Sequence, residues 1–429
     1  MRKPRWQIWP VPDVLSAPLI DAIADTVGSN PPERLGVAVS GGGDSIALLS
    51  AMAQYADRES IELQVITIDH GLRAESRREA AVVTDLCLKL GLNHHVEYWT
   101  GWDGTGNLQA EARAGRYALM ADWAYANQIS QIALAHTADD QAETVLMRLA
   151  RAAGVDGLSA MSRSSVRDGI TWLRPFLGTK RATLRLYLQA SGRQWIDDPS
   201  NSDRQFDRVR VRDALTVLET LGITVDALCD VAQHQREARQ ALDWQSFLIA
   251  RDLVEIEAGA VVMALNRFRA QPVEVKRRLL VHAIRWLNGG TYAPRRATIM
   301  RTLEAVSQGE TATLAGCQMT HAKGQLWVHR EHQAVAAIES HVSDTWDDRW
   351  QIDGPDDDDE ITVRALGFDV LSEIDGWRDL NIPRAVLAVT PAIWYGDQVL
   401  AVPEVIADDE WSAEIEGGKD GFFAALLSH

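Results

Sequence analysis

Residues 37–50 read VAVSGGGDSIALLS, two apolar runs interrupted by Ser40, Gly41, Gly42, Gly43, Asp44 and Ser45. Val37, Ala38 and Val39 have the character of the end of a short buried strand, and Ile46 to Met52 that of a helix packed on a sheet. Three successive glycines allow positive φ and a close approach of backbone N–H groups, and the two serines add hydroxyl donors beside a helix N-terminus. The six residues are therefore expected to cradle an anion. An acidic residue inside such a cradle is sensible when a divalent cation sits between carboxylate and phosphate, which makes Asp44 the expected metal-binding residue.

The missing residues narrow the anion. A nucleotide hydrolase loop requires GxxxxGK[ST] and a dinucleotide fold requires GxGxxG, and neither occurs here. A glycine turn capped by Asp and Ser would account for SGGG alone. The whole SGGGDS, set between a strand and an apolar helix, resembles the pyrophosphate-binding loop of the ATP pyrophosphatase, or PP-loop, superfamily. Members of that superfamily split ATP between its α and β phosphates and leave AMP on a substrate oxygen.

The flanking sequence alternates between strand and helix patterns. Ile61 to Ile68 reads as a strand ending in Asp69-His70-Gly71-Leu72-Arg73, where open α/β sheets collect ligands. Ser76 to Leu90 reads as a helix, with Glu79 placed for a capping box. His94 to Trp99 is a third strand, and Leu108 to Ala126 a helix that aligns Gln109, Arg113, Arg116 and Tyr117 on one face. That face is either a solvated stripe or a phosphate clamp, with Arg113 as its foremost member. Gln131 to Ala135 is a fourth strand, followed by His136-Thr137-Ala138-Asp139-Asp140-Gln141-Ala142-Glu143-Thr144 opening a helix. Capping and the helix dipole explain Asp139. They explain less of Asp140 and Glu143, whose i,i+3 spacing lets two carboxylates and His136 face one cavity at a strand end.

Ile170 to Leu173 is a fifth strand, leading to a helix from Thr179 to Ala190 that bears Lys180, Arg181 and Arg185. A turn-rich loop, Trp195 to Asn201, precedes Phe206 to Arg212 (FDRVRVR). If extended, that stretch places three arginines on one side; if helical, it pairs Arg208 with Arg212. The fold class implied is α/β: a doubly wound parallel sheet to about residue 190, then a helical domain and a small α+β domain. We set the domain limits at 1–215, 216–345 and 346–429. In the middle segment, Val231 to Leu253 and Val273 to Leu287 read as helices, the second with Val275, Leu279, Ala283 and Trp286 inward and Lys276, Arg277 and Arg278 largely elsewhere. Short strands are expected between Thr311 and Val328, a solvated linker at Gly354 to Glu360, and a hairpin over Ala385 to Val402 turning at Gly396-Asp397.

At 429 residues the chain is too long for one core, in keeping with several domains. The formal net charge of −17 argues at first against a nucleic-acid partner. From Glu331 onward, however, there are 23 acidic and five basic residues, so the first 330 carry a net +1. Val145 to Leu215 alone is +6, which leaves a basic surface available to a polyanion. Cys87, Cys229 and Cys317 are far apart and form no CxxC, the pattern of reduced thiols in a cytosol. The N-terminal apolar residues are broken by Pro10, Pro12, Asp13 and Pro18, which argues against a signal peptide, and no run has membrane-spanning length.

Taken in order, SGGGDS, DHGLR (Asp69 to Arg73), QAEARAGRY (Gln109 to Tyr117), AHTADDQAET (Ala135 to Thr144), RPF (Arg174 to Phe176) and DPSN (Asp198 to Asn201) resemble the tRNA(Ile)-lysidine synthase family over about the first half of the chain. The resemblance implies a cytoplasmic ligase that uses ATP and Mg2+ to join free L-lysine to C2 of the wobble cytidine in the CAU-anticodon tRNA(Ile). The C2 oxygen is first adenylated, with pyrophosphate departing into the Ser40 to Ser45 cradle, and the lysine amine then displaces AMP. It further implies Asp44, Arg113, Asp140, Glu143 and Arg208 as catalytic residues. Substrate would be bound by His70, Arg73, His136, Asp139, Asp140, Glu143 and Arg212, and tRNA held by carboxyl-terminal domains. No stable protein partner or membrane is implied, and a homodimer stays open. The family's doubled histidine is here His136-Thr137, so a role for the second position is lost, and its usual Arg-Asn after DPSN is here Arg208-Val209.

Two rivals share the superfamily. A tRNA thiolase normally requires paired cysteines, which are missing. An amide-forming synthetase accounts for SGGGDS but not for DHGLR, DPSN or the basic stretch. A non-catalytic nucleotide-binding or scaffold protein would need only the loop and the acidic tail.

Overall fold

The computed structural model describes residues 12–69, 71, 76–100, 108–196, 207–290, 294–355 and 360–427. His70, Arg73 and the DPSN segment lie outside the described residues, as do most of the Gly354 to Glu360 linker and the Gln109 side chain. Packing divides the chain into two units, Met1–Arg239 and Gln240–His429.

The first unit opens with α1 (Asp13–Val27), β1 (Arg34–Ala38), α2 (Gly43–Glu59), β2 (Glu62–Asp69), α3 (Ser76–Leu90), β3 (Asn93–Tyr98) and α4 (Leu108–Ala126). It continues through β4 (Gln131–Ala133), α5 (Ala138–Leu149), α6 (Val155–Leu158), β5 (Ser164–Arg167), β6 (Ile170–Leu173), α7 (Arg181–Ala190) and α8 (Asp207–Glu219). The following α9 (Val225–Leu253) carries the division between the units. The six strands form one sheet in the order β3-β2-β1-β4-β6-β5. All neighbours are parallel except β5, which turns back antiparallel on β6 through Asp168 and Gly169, both at positive φ. That edge strand is an addition to the parallel sheet expected from the sequence. Its residues Ser164, Val166 and Arg167 are largely exposed, so no buried apolar run announces it.

Helices cover both faces. Leu19, Ile23, Leu48, Met52, Val83, Leu184 and Tyr187 of α1, α2, α3 and α7 share one core with the inner strands. Tyr117, Met120, Trp123 and Ala124 of α4 form the other core with Ile132, Ile170 and Trp172. The side chains of α2 are buried continuously from Ser45 to Ala56, so the helix that follows the glycine loop is embedded in protein. The order of strands reverses between β1 and β4, and the carboxyl ends of those two strands are where a doubly wound sheet opens a crevice. The glycine loop follows β1 and His136 follows β4, so both sequence motifs open on that crevice. A smaller cluster of Ala142, Val145, Leu228 and Ala232, with Leu215 against it, joins α5, α8 and the start of α9.

The second unit begins with β7 (Val254–Glu257), β8 (Ala260–Ala264), α10 (Leu265–Arg269), α11 (Val273–Asn288), α12 (Arg296–Gln308), β9 (Ala312–Leu314), β10 (Cys317–Ala322) and β11 (Gln325–Arg330). Its five strands form an antiparallel sheet in the order β7-β8-β11-β10-β9. The remainder comprises α13 (His332–Val335), β12 (Glu339–His341), β13 (Trp350–Asp353), β14 (Ile361–Ala365), α14 (Phe368–Glu373), α15 (Arg384–Leu387), β15 (Pro391–Tyr395), β16 (Gln398–Ala401), β17 (Ser412–Ile415) and α16 (Gly418–Leu427). Phe422 and Leu426 of α16 are buried in the same core as Leu279, Leu280 and Ile284 of α11.

Two expectations are corrected in this unit. Arg277 and Arg278 are buried on α11, where they pair with Glu274 and, for Arg278, with Asp243; they are not surface bases. The hairpin does turn at Gly396-Asp397 but starts only at Pro391, because Arg384–Leu387 is a helical turn behind Pro383.

Candidate active site

The glycine loop is held open by its own hydrogen bonds. Gly41 has φ +88°, and a Cβ on it would meet the Glu79 carbonyl oxygen at 3.2 Å. A Cβ on Gly43 would meet Trp195 at 3.3 Å, and Ile196 N donates to Gly41 O at 3.2 Å, so the Trp195-Ile196 segment lies along the loop. Ser45 Oγ donates to Gly42 O at 2.8 Å and accepts from Ser40 N at 3.2 Å, with the Ser40 hydroxyl 3.3 Å away. Asp44 stands in the first turn of α2.

At the end of β4, Thr137 caps α5. Its hydroxyl accepts from Asp140 N at 3.3 Å, while Asp140 Oδ2 accepts from Thr137 N at 2.8 Å and from Thr137 Oγ1 at 2.7 Å. The second position after Ala135 thus has a structural task as a cap. These bonds fix one oxygen of Asp140 and leave Oδ1 facing outward, toward Arg181.

Arg181 is the residue that sequence reasoning missed. Its Nε donates to Asp44 Oδ2 at 2.9 Å and its Nη2 to Asp140 Oδ1 at 3.1 Å. Its Nη1 lies 3.7 Å from Glu143 Oε1, and its backbone N–H donates to Asp139 Oδ2 at 2.7 Å. Asp139 therefore caps the N-terminus of α7 and not, as the sequence suggested, that of the helix it opens, which Thr137 caps. Glu143, only 1% exposed, also accepts from Arg212 Nε at 2.5 Å, with α8 packed on α5. Asp207 to Arg212 are helical, and Arg208 is exposed on that helix. Among the described residues, three carboxylates here face two guanidiniums, with Asp139 on the Arg181 backbone N–H, while Lys180 is drawn off to Asp226 at 2.5 Å.

Protonation follows from these contacts. Burial pushes the Asp44 carboxyl above its ordinary value against the pull of Arg181, and burial pushes Glu143 up against its bond from Arg212. Burial would also raise Asp140, but Arg181, the two Thr137 bonds and His136 outweigh it and hold the carboxyl below its ordinary value. Arg181 is raised in spite of its burial, because Asp140, Asp44 and Glu143 surround it.

A cluster of opposite sign surrounds Tyr117 of α4. The guanidiniums of Arg113, Arg116 and Arg167 lie 5.4, 5.8 and 5.3 Å from the Tyr117 ring centre. The Tyr117 phenol is held below its ordinary value: burial opposes the shift, and Arg113, Arg174 and Arg116 cause it. Arg116 is lowered by burial and by the charges of Arg113 and Arg208. His136 stands between the two clusters. Burial pushes its imidazole down to about 3, with Arg174, Arg116 and Arg113 adding to the effect and Asp140 opposing it. Among the described residues, its Nδ1 is buried without a hydrogen-bond partner.

The structure thus brings Asp44, Asp140, Glu143 and Arg212 together at the Arg181 side chain, with Asp139 on its backbone N–H, and places Arg113 and His136 in the neighbouring basic environment, with the charge of Arg208 acting on Arg116. The signal that could have found Arg181 is its position at the start of a helix after RPF, which directs its side chain back across the switch point. No group of three or more His, Cys, Asp or Glu able to hold a metal occurs among the described residues. One carboxylate at a phosphate loop still suits Mg2+, which ordinarily takes one or two carboxylates and fills its shell from substrate phosphates and water.

Residues 16–219 match the family model of the PP-loop domain. The tRNA(Ile)-lysidine synthase of Ruegeria pomeroyi is 44% identical over 411 residues, covering 96% of this chain and 98% of the relative. Those of Wolbachia pipientis wMel and Mesorhizobium japonicum are 31% and 33% identical, covering 87% and 86% of this chain and 89% and 83% of theirs. Similarity of this extent runs past the nucleotide loop into Gln240–His429, and the chain belongs to the tRNA(Ile)-lysidine synthase family.

Proposed function

We propose that this chain joins L-lysine to C2 of the wobble cytidine in the CAU-anticodon tRNA(Ile), with ATP as co-substrate and AMP and pyrophosphate as products. The observation that carries this reading is the pairing of an anion cradle with a carboxylate surplus on one crevice: the reaction must hold a departing polyphosphate and an incoming cationic amine within one site.

The first step forms a bond between the α-phosphorus and the cytosine C2 oxygen and breaks the α–β anhydride. Backbone N–H groups of Gly41 to Gly43 and the hydroxyls of Ser40 and Ser45 take the pyrophosphate. Asp44 would hold Mg2+, which when bound supplies positive charge to offset that of the departing pyrophosphate. Arg113 and Arg208 stabilise the charge on the transferring phosphoryl group. The second step forms the C2–N bond and breaks the C2–O bond, releasing AMP. The lysine amine, with a pKa of about 10.4 in water, must shed a proton to attack. Glu143, buried and raised, is the acceptor, and Asp140 with its outward Oδ1 orients the amine. His136, neutral at working pH, serves as a hydrogen-bonding group. Docking of the RNA by residues 216–345 would rest on Arg267, Arg269, Arg285, Arg295, Arg296 and Arg301, all exposed. A cytoplasmic location follows from a tRNA substrate. No helix among the described residues is long and apolar enough to cross a membrane.

The test is incubation with ATP, labelled lysine and tRNA transcripts. Label should enter a transcript with the CAU anticodon and not one in which the wobble cytidine is replaced by uridine. ATP turnover without RNA labelling would return the chain to the amide-forming or thiolating branches of the superfamily.

A further inference from the structure

Arg181 links Asp44 on the glycine loop to Asp140 and Glu143 on α5, groups that the preceding reading gives to different ligands, the divalent ion and the amine. Without the guanidinium that these carboxylates hold in common, a single divalent ion would be drawn in by their combined charge. Such an ion would take the amine's place. A guanidinium excludes it: it stays protonated, presents donors in several directions at once, and here uses three different nitrogens on three carboxylates.

We propose that Arg181 is a positioning residue that partitions the site, standing as a fixed internal cation between the loop acid and the α5 acids so that the divalent ion and the substrate amine each have their own carboxylates. This deepens the functional reading above and rests on it. Arg212 cannot substitute, because among the described residues its guanidinium contacts Glu143 and neither Asp44 nor Asp140. Lys180 is next in sequence but is engaged with Asp226.

The experiment is a Mn2+ titration of the full chain without nucleotide or lysine, with free Mn2+ read by electron paramagnetic resonance. Arg181→Gln and Arg181→Met, the second keeping an apolar stem in place, should each gain one Mn2+ per chain bound at least about tenfold more tightly than by the wild type. Arg181→Lys, which keeps the charge, should gain none. At fixed MgATP, the KM for lysine of the neutral variants should then rise with added Mn2+, whereas that of the wild type should not. A variant with the wild-type circular dichroism and wild-type Mn2+ binding overturns the proposal. So does a tight nucleotide-free Mn2+ site in the unaltered protein that Asp140→Asn abolishes. If the extra site appears but the KM for lysine ignores Mn2+, the assignment of Asp140 and Glu143 to the amine fails while the partitioning role of Arg181 stands.

Discussion

Arg181 in the first unit and Arg278 in the second are both set among carboxylates, yet the two networks differ in sign. Around Arg278, the described residues supply two carboxylates, Asp243 and Glu274, to three guanidiniums, those of Arg277, Arg278 and Arg296. Around Arg181, three carboxylates meet two guanidiniums. A network whose negative charge is met internally has nothing left for a cationic ligand, and its work is to tie α9 to α11. A network with negative charge in excess, kept partly open, is built to be completed by something that binds. Buried ion pairs as such say little about function; the local balance of charge separates the structural pair from the site.

Breaking the open network should have the largest effect. Asp140→Asn and Glu143→Gln are expected to lower lysine-dependent turnover at least about a hundredfold, the scale of losing a positioned acid–base group. ATP binding, read by calorimetry, should change little. Equal loss of both would show that these carboxylates do not serve the amine. Breaking the closed network should act on stability alone. Arg278→Met removes a guanidinium from Asp243, itself 9% exposed on its side chain, and should cost about 3 kcal/mol, read by denaturant unfolding. The kcat of the folded variant should stay near that of the wild type, and Asp243→Leu added to it should recover most of the loss. A kinetic defect in Arg278→Met at temperatures where it is folded would erase the distinction drawn between the networks.

The glycine loop sharpens the contrast from the anion side. Gly41→Ala places a side chain at φ +88° against the Glu79 carbonyl, a strain of about 1–2 kcal/mol. Weaker ATP binding with unchanged lysine affinity at saturating ATP is the expected result. The smallest effect concerns pH. His94 and His136 in the first unit are lowered by burial to about 4 and about 3, and His329 in the second to about 4, from an ordinary value of 6.5. The unfolded chain therefore takes up protons first as the pH falls. The stability these neutral imidazoles contribute is present above pH 6.5 and is lost progressively toward pH 4. The melting temperature should drop between pH 7 and pH 5, and His94→Gln, which removes a ring held by Thr67 and Thr84, should flatten part of that drop.

Much of the first unit was legible before any coordinates. The limits of the helices Ser76 to Leu90 and Leu108 to Ala126 agree with the pattern of apolar residues, and the glycine loop and His136 follow the carboxyl ends of β1 and β4, the strand ends the alternation gave them. Asp140 and Glu143 were found by spacing, because i,i+3 on a helix is a local geometric fact. Arg181 was read as one of three basic residues on a helix, no different in kind from Arg277 and Arg278. All three proved to be engaged with carboxylates, one group in a site and the other in a core.

By itself, then, the sequence determined the kinds of element, their order, the anion cradle and the pair of acids beyond β4, since each depends on residues within a turn or two of one another. Only the tertiary structure decided which cation stands among those acids, which arginines are buried, and that β5 runs against its neighbour. Arg181 and Asp44 are separated by 137 positions, and nothing in local propensity reports a contact across that distance. It arises when the N-termini of α2, α5 and α7 are brought together at the carboxyl ends of the central strands, and the low dielectric there makes the balance of charge matter.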